Sequence, residues 1–269
     1  MEEKRNFDLL TLGQVLLRLS PPNNDRLVRG DTFVKQVGGA ELNVAVGVAL
    51  LGLRTGVISK LPSHDMGSFM KGKIRSYGVS DDFFMYDDSP SARVGIYYYE
   101  NGAYPRKPKV IYDRANSSFY SLKIDEIPEK AYTASRCFHT SGITLALSPK
   151  VRETTIEMIK RFKAAGTLVS FDVNFRGNLW TGEEAKECIE QILPYVDIFF
   201  CSEDTARLTF KKTGTAREMM KSFTEEYPIS IVASTQRIVH SPKSHTFGSI
   251  IYDARKDIYY EEEPYRDID

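Results

Sequence analysis

Alternation is the feature that most narrows what this chain can fold into. Short apolar runs read as strands at residues 9–13, 55–59, 137–141, 168–172, 198–201, 229–233 and 249–252, and helical patterns lie between several of them. Strands alternating with helices build βαβ units, and these give an α/β fold with a mostly parallel sheet flanked by helices. Residues 42–51 read as a helix that is apolar nearly all round, which predicts burial. Residues 150–163 set Val151, Thr155, Met158, Ile159 and Phe162 at helical spacing, with Gly166 as the stop. Thr181 and Glu184 open a further helix, 181–193, with a capping box. A length of 269 residues suits one large α/β domain with a small appendage.

One stretch breaks the alternation. Residues 92–120 hold the run Val94-Gly-Ile-Tyr-Tyr-Tyr, the turn signal Asn101-Gly102, and Lys109-Val-Ile-Tyr, with Pro105 and Pro108 in the connection. Two β-rich runs about a turn signal read as a hairpin. With the short runs 15–19 and 32–37 they are expected to form a small sheet of their own. The expectation is a single domain, 1–269, carrying a β lid built from about 14–37 and 92–120. The alternative is a hairpin that extends the main sheet.

Charge narrows the partners. Lysine plus arginine and aspartate plus glutamate each number 36, so the formal net charge is zero. A general nucleic-acid binder carries a basic excess, and that class is excluded; a small anionic ligand is not. No apolar run approaches the roughly 18 residues of a membrane helix, so no membrane partner is expected. The N-terminal Met1-Glu2-Glu3-Lys4-Arg5 leads into a strand-like run rather than a signal peptide. Cys137, Cys188 and Cys201 are odd in number and far apart, in apolar or helical settings. They read as buried free thiols, and the protein as cytoplasmic and free of structural zinc.

Three clusters carry chemistry. Gly38-Gly39-Ala40-Glu41-Leu42-Asn43 leads into the apolar helix; its glycines allow close approach to the backbone, and Asn43 can both donate to and accept from hydroxyls. The stretch is neither a dinucleotide fingerprint nor a Walker loop, lacking G-x-G-x-x-G and G-K-[ST]. Asp172-Val173-Asn174-Phe175-Arg176 follows an apolar strand, where open α/β sheets bind ligands. Arg176 suits a carboxylate or phosphate, or else a structural ion pair with Asp172. On the hairpin, Tyr97, Tyr112 and Arg114 stand where they could close over an acidic sugar, or serve as lid decoration or a dimer contact; Tyr112 and Arg114 share one strand face.

Together these stretches resemble the ribokinase-like, PfkB-type sugar kinases, and within them the 2-keto-3-deoxygluconate kinases. The matching residues are Gly38-Gly39-Ala40-Glu41-x-Asn43-Val44-Ala45, Val110-x-Tyr112-x-Arg114, Ser141-Gly142-Ile143-Thr144-x-Ala146-Leu147-Ser148 and Asp172-Val173-Asn174-x-Arg176-x-x-Leu179-Trp180, in the family's order. The resemblance implies a ribokinase-like α/β fold with a small β-sheet lid that forms a homodimer, and transfer of the γ-phosphoryl of ATP, with Mg²⁺, to a sugar hydroxyl. It implies sugar-acid contacts at Gly39, Asn43, Tyr97, Tyr112, Arg114, Asn174 and Arg176, with Arg176 also near the transferred phosphate. Ser202, Ser234 and Thr235 are candidates for the nucleotide side, and Glu203 and Asp204 for the metal side.

The chain departs from the family at three points. The family's anion hole and catalytic base lie in a Gly-x-Gly-Asp stretch after a strand resembling residues 264–269. None of the 269 residues is therefore expected to act as the base, and little or no turnover is expected of them. The family's Asn-x-x-Glu metal stretch is Ser202-Glu203-Asp204-Thr205 here. Gln14 follows Gly13 where the sugar-acid branch commonly has an acid. Two further readings stay open: a kinase for a neutral sugar such as fructose or ribose, and a non-catalytic kinase homologue that only binds a ligand or partner.

Overall fold

The structure, a computed structural model, describes residues 5–241 and 244–268. Residues 1–4 of the N-terminal stretch and Asp269 of the last strand-like segment lie outside the described residues. The chain divides between Arg136 and Cys137 into two compact units.

The first unit contains two sheets. β1 (Phe7–Leu12) pairs parallel with β4 (Thr55–Pro62), which pairs parallel with β5 (Val79–Ser80) and β6 (Phe84–Asp87). β2 (Leu16–Ser20), β3 (Val34–Gly38), β7 (Gly95–Glu100) and β8 (Lys109–Asp113) form a separate four-stranded sheet in the order β3-β2-β7-β8. The expected small sheet is therefore real, and the alternative of a hairpin extending the main sheet is not what the chain does. Helices α1 (Ala40–Leu50), α2 (Asp65–Ser76) and the single turn α3 (Lys130–Thr133) complete the unit. One core joins both sheets, with Val15, Leu17 and Val37 packed beside Val57, Leu61, Met70 and Ile74.

Helix α1 corrects one expectation. Glu41, Leu42 and Ala45 are buried, but Val44, Leu50 and Leu51 are exposed, the last two at 80%. The helix covers β1 and β4 from one side only, so its second apolar face has nothing against it among the described residues.

The second unit takes up the alternation. β9 (Ser135–Ser141), which begins just before the division, pairs parallel with β10 (Leu168–Asp172), then β11 (Ile198–Phe200), then β12 (Ile231–Ser241). Helices α4 (Gly142–Ala146), α5 (Pro149–Ala164), α6 (Gly182–Glu190), α7 (Glu203–Leu208) and α8 (Ala216–Glu226) fill the crossovers. The alternation ends at β12, which pairs antiparallel with β13 (Ser244–Asp253); β14 (Ile258–Glu261) and β15 (Tyr265–Ile268) both pair with β13. Helix α5 buries Val151, Thr155, Met158, Ile159 and Phe162, the stripe its spacing predicts, and Ser148 caps it ahead of Pro149. Helix α6 has the expected capping box, Thr181 with Glu184, and ends at Glu190, short of the expected 193. Phe138 stacks on Phe162 at 4.0 Å, and Phe199 meets Phe210 and Phe223 edge-on. Each such side chain contributes roughly 1.5–3 kcal/mol by leaving water.

Candidate active site

In the first unit, the residues expected to contact the ligand converge on the turn between β3 and α1. Gly39 caps α1 with φ 154° and ψ 145°, a region essentially open to glycine alone, and a Cβ there would stand 2.7 Å from the Gln14 carbonyl oxygen. The Gly39 carbonyl accepts the first helical hydrogen bond, from the Asn43 amide at 2.8 Å, which leaves the Asn43 side chain exposed one turn in. The Tyr97 hydroxyl lies against the same turn, 2.8 Å from where a Gly38 Cβ would be. Tyr97 faces Tyr112 across the β7–β8 ladder, with ring centroids 6.0 Å apart. Arg114, one residue past β8, sets its guanidinium carbon 5.5 Å from the Tyr112 ring centre.

The electrostatics of this cluster follow from partial burial. Desolvation pushes the Tyr97 hydroxyl upward in pKa, against the opposing charge of Arg18. Burial lowers the pKa of Arg114, opposed by Tyr120, Glu41 and Tyr112. The guanidinium is thus a cation held in a poorly hydrated place, a condition that an anionic ligand relieves.

In the second unit a cavity of about 270 Å³ opens beyond the carboxyl ends of β10 and β11, beside Ala233 and Thr235 of β12. Asp172, Asn174 and Arg176 all line it, with Ser202, Thr205 and Thr235 across from them. The Asp172 carboxylate accepts from the Asn174 amide at 2.9 Å, and Asn174 takes φ 38°, so the strand turns at this point. Arg176 is exposed, donates to the Phe175 carbonyl at 3.0 Å, and makes no ion pair with a described residue. The alternative of an Asp172–Arg176 bridge is therefore not formed. The Cys201 thiol is pushed far up by burial and then by the Asp172 charge, and it reads as a wall rather than a nucleophile.

Strand parity separates two residues that the sequence left together. Thr235 is exposed and lines the cavity, whereas Ser234 points to the opposite face of β12 and is buried. At the start of α7, Ser202 accepts from the Thr205 amide at 3.2 Å and donates to its hydroxyl at 2.9 Å. Glu203 is paired with Arg207 at 2.8 Å, and Asp204 is exposed. No group of three His, Cys, Asp or Glu among the described residues could hold a metal ion. The cavity is polar and open at the ends of β10 and β11, the position at which open α/β sheets bind ligands.

The sequence reading missed Thr205 as a lining residue, although it sits one helical turn from Ser202. It also missed what Gln14 does. Gln14 had been noted as a departure, but nothing local links it to a residue 100 positions away.

The profile of the pfkB family carbohydrate kinases matches residues 6–236. The chain belongs to the PfkB family of carbohydrate kinases. A 2-dehydro-3-deoxygalactonokinase of Haloferax volcanii is 34% identical over 229 residues, covering 85% of this chain and 71% of its own length. A 2-dehydro-3-deoxygluconokinase of Bacillus subtilis is 30% identical over 197 residues, covering 72% of this chain and 60% of its own length. The crystal structure of a 2-dehydro-3-deoxygluconokinase from Thermotoga maritima superposes with a TM-score of 0.91 at 30% identity, over 97% of this chain and 80% of that one. The fold is ribokinase-like, and PfkB kinases use ATP. No helix among the described residues is long and apolar enough to cross a membrane, and the three cysteines are free thiols, Cys137 half-buried and the other two buried.

Proposed function

We propose that this PfkB kinase is a sugar-acid kinase, which transfers the γ-phosphoryl of ATP to a hydroxyl of 2-keto-3-deoxygluconate or a close epimer. The observation that carries the reading is Arg114. Its Nε is hydrogen-bonded, its terminal nitrogens make no hydrogen bond within the described residues, and Tyr97 and Tyr112 stand beside it. A guanidinium fork matches the two oxygens of a carboxylate, and partial burial strengthens the pair. A neutral sugar has no anionic group to pair with this cation. The named relatives, a galactonokinase and gluconokinases of the dehydro-deoxy type, support the same substrate class.

The other residues fall into roles on this reading. In the first unit the Gly39 turn and Asn43 bind sugar hydroxyls; in the second, Asn174 offers a polar group to the cavity that it lines. Arg176 meets the transferred phosphate, and Ser202, Thr205 and Thr235 donate to nucleotide phosphates. Phosphoryl transfer depends chiefly on such positioning and on electrostatic stabilisation. The lid sheet, whose Val34, Val110 and Ile111 are exposed, forms the homodimer contact. Free thiols suit a reducing, cytoplasmic compartment.

The test is calorimetric titration of the wild type and Arg114→Ala with 2-keto-3-deoxygluconate and with fructose. The acid is expected to bind the wild type better than fructose does, and Arg114→Ala to cost about 2–5 kcal/mol for the acid alone. Tighter binding of fructose would establish the neutral-sugar reading instead, and an unchanged affinity in Arg114→Ala would refute Arg114 as the carboxylate partner.

A further inference from the structure

The fold brings Gln14, in the link between β1 and β2, against Arg114 and Ser117 just beyond β8. The Gln14 Oε1 accepts from Arg114 Nε at 2.7 Å, while its Nε2 donates to the Arg114 carbonyl at 3.1 Å and to the Ser117 hydroxyl at 2.6 Å. Gln14 is only 3% exposed, and the absence of a side chain at Gly95 makes the space for it, since a Cβ there would lie 2.7 Å from Nε2. Every polar atom of the amide is thus used, and the network itself sets which end is oxygen.

We propose that Gln14 is a specificity-determining positioning residue: its amide orients the Arg114 guanidinium through Nε, keeps both terminal nitrogens for the ligand, and adds no negative charge beside the cation. This deepens the sugar-acid reading and rests on it. An acid at position 14 would alter two things. Its charge would pair with Arg114 and weaken the pull on a ligand carboxylate. Its second oxygen would face the Arg114 carbonyl across the 3.1 Å where the amide now donates, setting acceptor against acceptor. The nearby buried carboxylate, Glu41, raises the pKa of Arg114 through its charge, while the hydrogen bond at Nε belongs to Gln14.

The experiment measures the affinity of the full chain for 2-keto-3-deoxygluconate and for its uncharged C1 amide, by calorimetry, in the wild type, Gln14→Glu, Gln14→Met and Arg114→Ala. The ratio of the two affinities reports recognition of the carboxylate, which a loss of stability alone does not move. Gln14→Glu is expected to lower affinity for the acid about tenfold or more, with the amide changed by less than about threefold. Gln14→Met, which keeps the length but loses the hydrogen bonds, is expected to lower the ratio by a smaller factor, and it carries the test should Gln14→Glu fail to fold. An unchanged ratio in both Gln14 variants, alongside a lowered ratio in Arg114→Ala, would overturn the role of Gln14 and leave the sugar-acid reading standing. An unchanged ratio in Arg114→Ala would overturn both.

Discussion

His139 makes the stability of this protein depend on acid in a way that can be worked out beforehand. It lies on β9, is 4% exposed, and shares a 2.9 Å hydrogen bond with the Ser170 hydroxyl on β10. Burial drives its pKa down from 6.5 to about 4. The native state therefore holds the neutral ring, while the unfolded chain takes up a proton as pH falls through 6.5. Stability is full above that value, declines from there to about pH 4, and then levels off for this group. The slope reaches about 1.4 kcal/mol per pH unit, so roughly 2 kcal/mol is gone at pH 5 and about 3 kcal/mol below pH 4. The assay is urea denaturation of the wild type and His139→Gln at pH 8, 7, 6 and 5. His139→Gln starts lower, because its shape differs in a close-packed site, but the wild type should lose about 2 kcal/mol more than the variant between pH 8 and pH 5. Parallel curves would refute the reasoning, since they would mean that the ring is protonated in the native state or hydrated there.

Gly39→Ala should lower stability by about 1–3 kcal/mol, read as a fall in melting temperature, because alanine must leave φ 154° and clear the Gln14 carbonyl. Thr181→Ala, which opens the capping box of α6, should cost about 1 kcal/mol in urea denaturation. Cys137, pushed up to about 12 by burial and then by Asp197, and Cys201, pushed further, should resist a thiol reagent at pH 8 in the native protein and react in denaturant; fast native labelling of either would contradict their burial. Thr235→Val should weaken nucleotide binding about three- to tenfold in calorimetry while Ser234→Ala leaves it unchanged, and the reverse order would place the nucleotide on the other face of β12.

The sequence made some of this legible through local rules. Residues 168–172 form β10 with the bounds read from the sequence, because an apolar run meets an abrupt polar stretch there. Thr181 and Glu184 announced α6, yet Thr215 and Glu218 carry the same signature and cap α8 in the same way, and α8 went unread. Parity along β12 was also available, and it separates Ser234 from Thr235 without a structure. The one-sided burial of α1 was not available, since composition states how apolar a helix is and not how many of its faces meet a neighbour.

Gln14 shows where such reading stops. As a departure from an expected acid it was visible in the sequence, and by itself it argued against a sugar-acid ligand as much as for one. Its meaning depends on contact with Arg114 across 100 positions, on Gly95 leaving a space, and on Ser117 taking the last donor. Each of these is a fact of packing between β2, β7 and the end of β8, and none has a local signature. Once the contact is made, the sign of the argument reverses. A neutral amide that satisfies Nε holds Arg114 in place without cancelling its charge, and an arginine held in that way is more demanding of an anionic ligand. The substitution that looked like a lost feature of the sugar-acid site is then a reason to expect strong selection for the acid.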